Sequence, residues 1–172
     1  MINKVLLALL AALVILQVFQ IDKENPTSDP SLDFIAMYPP SEEVATILKT
    51  ACYDCHSNQT EYPWYTYTQP LGWWIADHID HGRDELNFSE FGNYSPRRAD
   101  HKLEEGVEYV EEQEMPLPSY TYAHWDADLT NEQREVLINW FKELRPITYP
   151  DSIRAIDDAE RARQRAAQEA GD

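Results

Sequence analysis

Two cysteines three positions apart, followed directly by a histidine, are the residues of this 172-residue chain best suited to chemistry: Cys52-Tyr53-Asp54-Cys55-His56. The spacing is that of a c-type haem attachment sequence. Two thiols one helical turn apart can each add to a haem vinyl group. A histidine next to the second thiol then lies beneath the iron and can ligate it. Other uses of the pair fit less well. A thioredoxin-like pair belongs in a βαβ context, which the surrounding pattern lacks. A structural zinc site takes four ligands, usually from two such pairs, and Cys52 and Cys55 are the only cysteines. A disulfide across two intervening residues is a redox device more often than a staple. Chance occurrence of the motif is the remaining alternative. The expectation is one covalently attached haem c, held by Cys52 and Cys55, with His56 as the proximal iron ligand.

On the distal side, Met115 in Glu114-Met115-Pro116 is the leading candidate. It follows a helix in a proline-stiffened loop, and a thioether opposite histidine raises the iron's potential and suits electron transfer. A gap-filling core role is the ordinary fate of a methionine. His78 is the alternative distal ligand, because it falls within an apolar helical stripe and faces inward. His81 shares less of that stripe, and His101 sits among charges. His124 stands in a loop able to close over the haem edge, more as a propionate partner than as a ligand. Trp64, Trp73, Trp74, Tyr120 and Trp125 are expected to wall the haem and lower the local dielectric; core packing is the plain alternative for each.

The elements that position these residues are helical. Ser41 is a good N-cap, and Val44, Ile47, Leu48 and Ala51 follow at i, i+3, i+4 and i+7, so this helix runs into the motif. Residues 57–70 read as a loop. Leu71 to Asp80 reads as a helix with Leu71, Trp74, Ile75, His78 and Ile79 on one stripe. Ser95-Pro96 opens another, with Ala99, Leu103, Val107 and Val110 apolar, ending near Met115-Pro116. Thr130-Asn131-Glu132-Gln133 fits a capping box before a helix that buries Val136, Leu137, Trp140, Phe141 and Leu144. No strand-period segment of useful length appears. The expected fold is all-α: a small cytochrome c-like helical domain around a covalently bound haem, preceded by an N-terminal membrane anchor helix.

Thirty-one acidic residues against 14 Lys+Arg give a formal charge of −17, which makes a nucleic-acid partner improbable. The run Val5 to Phe19 is apolar apart from Gln17 and reaches the roughly 20 residues of a membrane span only with Gln20 and Ile21 included. No small-x-small cleavage site or lipid-accepting cysteine follows, which favours an uncleaved anchor over a cleaved signal. Lys4 before the run and the acidic body after it orient the body outward, by the preference of cytoplasmic flanks for Lys and Arg. The reading is 1–21 anchor or signal, 22–40 linker, 41–149 haem-binding domain and 150–172 charged tail. The body is expected to face the periplasm from the inner membrane.

Several stretches resemble the haem-binding domain proteins with a single c-type motif, related in organisation to class I cytochromes c. They are Ala51-Cys52-Tyr53-Asp54-Cys55-His56-Ser57-Asn58, Tyr62-Pro63-Trp64-Tyr65, residues 82–89 (GRDELNFS) and Glu114-Met115-Pro116. Leu129-Thr130 with the Trp140 helix resembles the family's closing helix, so the likeness covers about residues 39–144. The resemblance implies covalent haem at Cys52 and Cys55, His56 as proximal ligand, and an exported, often membrane-tethered protein. It assigns no reaction and no partner. Arg83 near a haem propionate is an expectation from charge alone, against a solvent-exposed alternative.

The function these features support is a one-electron carrier rather than a catalyst, docking an unidentified basic redox protein through its acidic face. The competing reading is a haem-based ligand sensor or peroxidase-like enzyme with an open sixth position flanked by His78 or His124. A third is an interaction module in which the motif is incidental.

Overall fold

The structure, a computed structural model, describes residues 2–169. Among these residues it is entirely helical, with no strand. Helix α1 spans Ile2–Leu16, α2 Phe34–Met37, α3 Glu42–Ala51, α4 Tyr53–His56, α5 Leu71–Glu85, α6 Pro96–Glu111, α7 Pro118–Thr121, α8 Asn131–Thr148 and α9 Asp151–Glu169, with 3₁₀ turns between several of them.

Local chemistry sets the helix starts. Ser41 Oγ accepts from Val44 N at 3.3 Å and opens α3, which buries Val44, Ile47 and Leu48. Ser95 caps α6 in the same way, with Pro96 in its first turn. Thr130 and Gln133 form the full capping box at α8, each side chain bonding the other's backbone N–H. α6 and α8 pack along each other as the main helical pair. The α6 stripe of Ala99, Leu103, Val107 and Val110 meets a core that includes Leu137, Ile138, Phe141 and Leu144 of α8. α6 ends at Glu111, short of the expected Met115-Pro116, and Glu114 and Met115 instead both donate to the Tyr109 carbonyl.

The stretch 22–40, expected as a linker, contributes to the core. Asp29 and Asp33 cap a 3₁₀ turn over Pro30–Leu32 and then α2. Phe34 is fully buried, its ring 4.4 Å from Phe91, 5.2 Å from Phe88 and 5.1 Å from Trp140, centroid to centroid. At the other end, residues expected as a tail form α9. Asp100 of α6 accepts from Arg145 Nε of α8 at 2.8 Å and from Arg154 Nη2 of α9 at 3.4 Å, and Tyr149 Oη donates to Asp157 at 2.9 Å.

The N-terminal helix is shorter than the span expected of it. α1 has 15 residues and buries none of them, and among the described residues no helix is long and apolar enough to cross a membrane. At the C-terminal end of α1, Gln17 joins the helix to the domain. Its amide nitrogen donates to Leu13 O at 2.9 Å and to Gln69 O at 3.0 Å, and its amide oxygen accepts from Gln69 N at 2.9 Å. Gln20 Nε2 donates to Tyr67 O at 3.2 Å and Trp73 Nε1 to Phe19 O at 2.8 Å. The chain after α1 is thereby fastened to the turn that precedes α5.

Candidate haem site

The motif occupies the break between α3 and α4. Cys52 ends α3 and starts α4, and its carbonyl accepts from both Cys55 N (3.2 Å) and His56 N (2.9 Å), so one helical turn carries Cys55 and His56. α5 lies directly against this turn. A Cβ at Gly82 would stand 2.8 Å from the Cys55 carbonyl oxygen, so only glycine permits the approach. His56 Nδ1 lies 3.0 Å from the Leu86 carbonyl. A carbonyl only accepts, so Nδ1 carries the proton and Nε2 keeps its lone pair, the arrangement of a metal-ligating imidazole.

The segment after His56 is held from three sides. Arg83 Nε donates to Ser57 O at 2.8 Å, and Arg83 Nη2 to Asn25 Oδ1 and Thr60 Oγ1, both at 2.9 Å. Ser89 Oγ accepts from Asn58 N at 3.1 Å, and Asn87 Nδ2 donates to Asn58 Oδ1 at 2.8 Å. Gln59 Nε2 reaches Asp33 Oδ2 at 2.9 Å, while Tyr53 Oη donates to Asp33 Oδ1 at 3.0 Å. Phe88 stacks on Tyr53, with centroids 5.2 Å apart and planes at 9°, and meets His56 edge-on. Residues 87–89 and Arg83 are thus braces for the attachment segment. Arg83 commits Nε and Nη2 to backbone and side-chain acceptors there, where charge alone had suggested a propionate or solvent.

A mainly apolar cavity of about 290 Å³ opens beside Cys55. Leu71, Trp74, Ile75, His78 and Ile79 of α5 form one wall, and Tyr65, Leu117, Tyr120 and His124 face them. Polar groups at the rim are paired. Tyr65 Oη bonds His124 Nε2, His124 stacks on Tyr120 with centroids 4.2 Å apart, and Tyr120 Oη donates to Asp54 Oδ2 at 2.8 Å.

Burial governs the electrostatics. It pushes the Cys52 thiol up to about 12, with Cys55 adding to the rise, and the Cys55 thiol up to about 11, with Asp54 adding to the rise. Neither cysteine is a thiolate at neutral pH, the reverse of an activated dithiol redox pair. Burial lowers the His56 pKa against the opposing pull of the Leu86 carbonyl, which keeps the imidazole neutral and able to ligate. Burial also raises Tyr120, with the Asp54 hydrogen bond next in weight, so its hydroxyl stays a donor.

Of the sequence-predicted residues, Cys55, His78, His124, Trp74 and Tyr120 line the cavity together. Cys52, His56 and Met115 are not in that lining; Met115 packs against the hydrophobic core, and its carbonyl accepts from Arg134 Nη1 at 2.7 Å. Leu117, two residues on, does reach the cavity. His78 is half-buried, with Nδ1 2.8 Å from Trp74 O and its ring 4.2 Å from the Trp74 ring. Trp64 and Trp125 are not walls: they are 80% and 86% exposed. Trp73 points toward Phe19. Sequence reasoning missed Gly82, Leu86, Asp54 and the Tyr65–His124 pair. Asp54, Tyr65, Gly82 and Leu86 all lay within stretches that the family likeness had marked; His124 lay outside them.

The residues present fit a haem. Both thiols are free and half-buried one turn apart, the adjoining imidazole has its outer nitrogen occupied by a carbonyl, and an apolar cavity lies alongside. No curated protein and no solved structure matches the chain. The family model for the haem-binding domain matches residues 11–143. A match over that much of the sequence, with Cys52, Cys55 and His56 inside it, places the chain in the haem-binding domain family.

Proposed function

We propose that this haem-binding protein carries a single haem c, joined through thioether bonds at Cys52 and Cys55 with His56 as proximal ligand, and serves as a one-electron carrier. The observation that carries the reading is His56, neutral and with Nδ1 on the Leu86 carbonyl, one residue from a half-buried thiol that faces an apolar cavity. When bound, the haem supplies an iron centre that cycles between ferrous and ferric. The protein's own groups hold and orient it: Leu86 fixes the imidazole, α5 packs the motif turn, and the apolar wall excludes water. The formal charge of −17 suits docking to a basic redox protein through weak, salt-sensitive contacts.

Met115 is the distal ligand in this reading, supplied by the loop that also sends Leu117 to the cavity. A second reading, His78 as distal ligand or as the flank of an open site for a small ligand, is favoured by the position of His78 in the cavity wall. α1, largely apolar and with no buried residue, is proposed to hold the protein at the inner membrane with the haem domain on the periplasmic side.

Expression of the full chain with haem-maturation machinery tests the assignment. The expected product keeps its haem through denaturing electrophoresis, and Cys52→Ala/Cys55→Ala abolishes that retention. A colourless product from the unaltered chain would refute it.

A further inference from the structure

The 3₁₀ turn Trp64–Tyr67 and the first residues of α5 carry an unusual surface. Trp64, Tyr67, Leu71, Trp73 and Trp74 are all exposed large side chains within eleven residues of sequence. Such a patch on a strongly acidic protein needs a partner that takes apolar and aromatic surface. The same turn is where α1 is fastened, by the two-way pairing of Gln17 with the Gln69 backbone, by Gln20 on Tyr67 and by Trp73 on Phe19. Lys23 Nζ lies 4.0 Å over the Tyr67 ring, a cation at the edge of the patch. These contacts join the end of the apolar helix to the Tyr67 and Trp73 side of the aromatic patch.

We infer that the rim formed by Trp64, Tyr67, Leu71, Trp73 and Trp74 sits in the headgroup layer of a phospholipid bilayer, with α1 inserted beneath it. The inference rests on the proposed membrane attachment through α1. Tryptophan and tyrosine favour this layer because their bodies are apolar and their N–H and O–H ends are wet. α1 is about 22 Å long at 1.5 Å per residue, short of the roughly 30 Å hydrocarbon, so Lys4 reaches the far headgroups only where the bilayer thins, and that thinning draws the rim into the near headgroup layer. The Gln17 clasp leaves little chain between helix and domain, so insertion of α1 brings the rim to the interface. Leu71 and Trp74 belong both to this rim and to the cavity wall, which turns that wall toward the membrane surface. Zwitterionic lipid is the matching surface, since anionic headgroups would repel the acidic body.

The test is flotation of the haem-loaded full chain with phosphatidylcholine vesicles, followed by radiolytic hydroxyl-radical footprinting of the floated protein. Each oxidation rate is normalised to that of the same residue in a short peptide. Trp64 is 80% exposed and Tyr109, on α6, is 44% exposed, so solvent alone makes Trp64 the less protected. On vesicles the order is expected to reverse, with Trp64 several-fold slower than Tyr109. Flotation with Trp64 still the faster would overturn the rim and leave the attachment through α1 standing. Failure to float would overturn the attachment and the rim together.

Discussion

Gly82 of α5 stands against the carbonyl of Cys55, so close that a Cβ there would lie 2.8 Å from the oxygen and 3.3 Å from the Cys55 Cβ. Gly82→Ala sets two effects against each other. Alanine in a helix interior gains up to about 1 kcal/mol over glycine. Forcing α5 off a backbone carbonyl costs about 1–3 kcal/mol, and the obstacle is main chain rather than a flexible tip. The clash should win. The variant is expected to unfold at lower denaturant concentration and to load less haem per chain; an unchanged midpoint would show that the turn yields freely.

Arg83 holds three acceptors around the attachment segment, on Ser57, Thr60 and Asn25. Arg83→Ala is expected to lower stability by about 1–3 kcal/mol through the lost charged hydrogen bonds. Amide exchange should quicken over residues 57–60 more than in α8. Arg83→Lys keeps the charge and loses the forked geometry, so it should recover only part of the loss.

The distal ligand can be decided by spectrum. A sulfur ligand to ferric haem gives a weak charge-transfer band at the red edge of the visible range. Met115→Ala is expected to remove it and to lower the potential, while His78→Ala leaves it in place. Loss of a low-spin spectrum in His78→Ala, with Met115→Ala unaffected, would transfer the role to the cavity histidine.

Alkaline stability separates free from attached cysteines. In the haem-free chain the folded thiols deprotonate near 12 and 11, against 9.0 for the ordinary thiol. Above pH 9 the unfolded chain therefore holds fewer thiol protons than the folded one, and stability falls as pH rises toward the folded values. Each thiol contributes a slope of about 1.4 kcal/mol per pH unit in that window. Thioethers have no proton to lose, so the haem-attached protein should show a shallower decline between pH 9 and 11. Equal slopes in denaturant titrations of the two forms would argue against attachment at both cysteines.

What the sequence made legible follows from what is local. Ser41, Ser95 and the Thr130–Gln133 box start their helices where the caps said, because a cap and the stripe after it lie within one or two turns. The motif likewise carries its own geometry in five residues. The parts that were not legible depend on distant partners. Arg83 acts on Asn25 and Ser57, Phe34 meets Trp140 across most of the chain, and Gln17 finds Gln69. Nothing in the local pattern of 22–40 announces that Phe34 is fully buried, and Leu71 to Asp80 gave no reason for α5 to continue to Glu85. Trp64 and Trp125 show the opposite failure: aromatic type suggested a wall, and long-range packing left both outside it.

Asp100 binds the chain's last segment into the whole. One nearly buried carboxylate serves Arg145 of α8 and Arg154 of α9, and Arg154 also lies 4.7 Å over the Tyr149 ring. The first turns of α9 consequently belong to the same cooperative unfolding unit as α6 and α8 rather than fraying ahead of it. Melting of the haem domain should thus be readable from its C-terminal helix, far along the chain from the cysteines that define it.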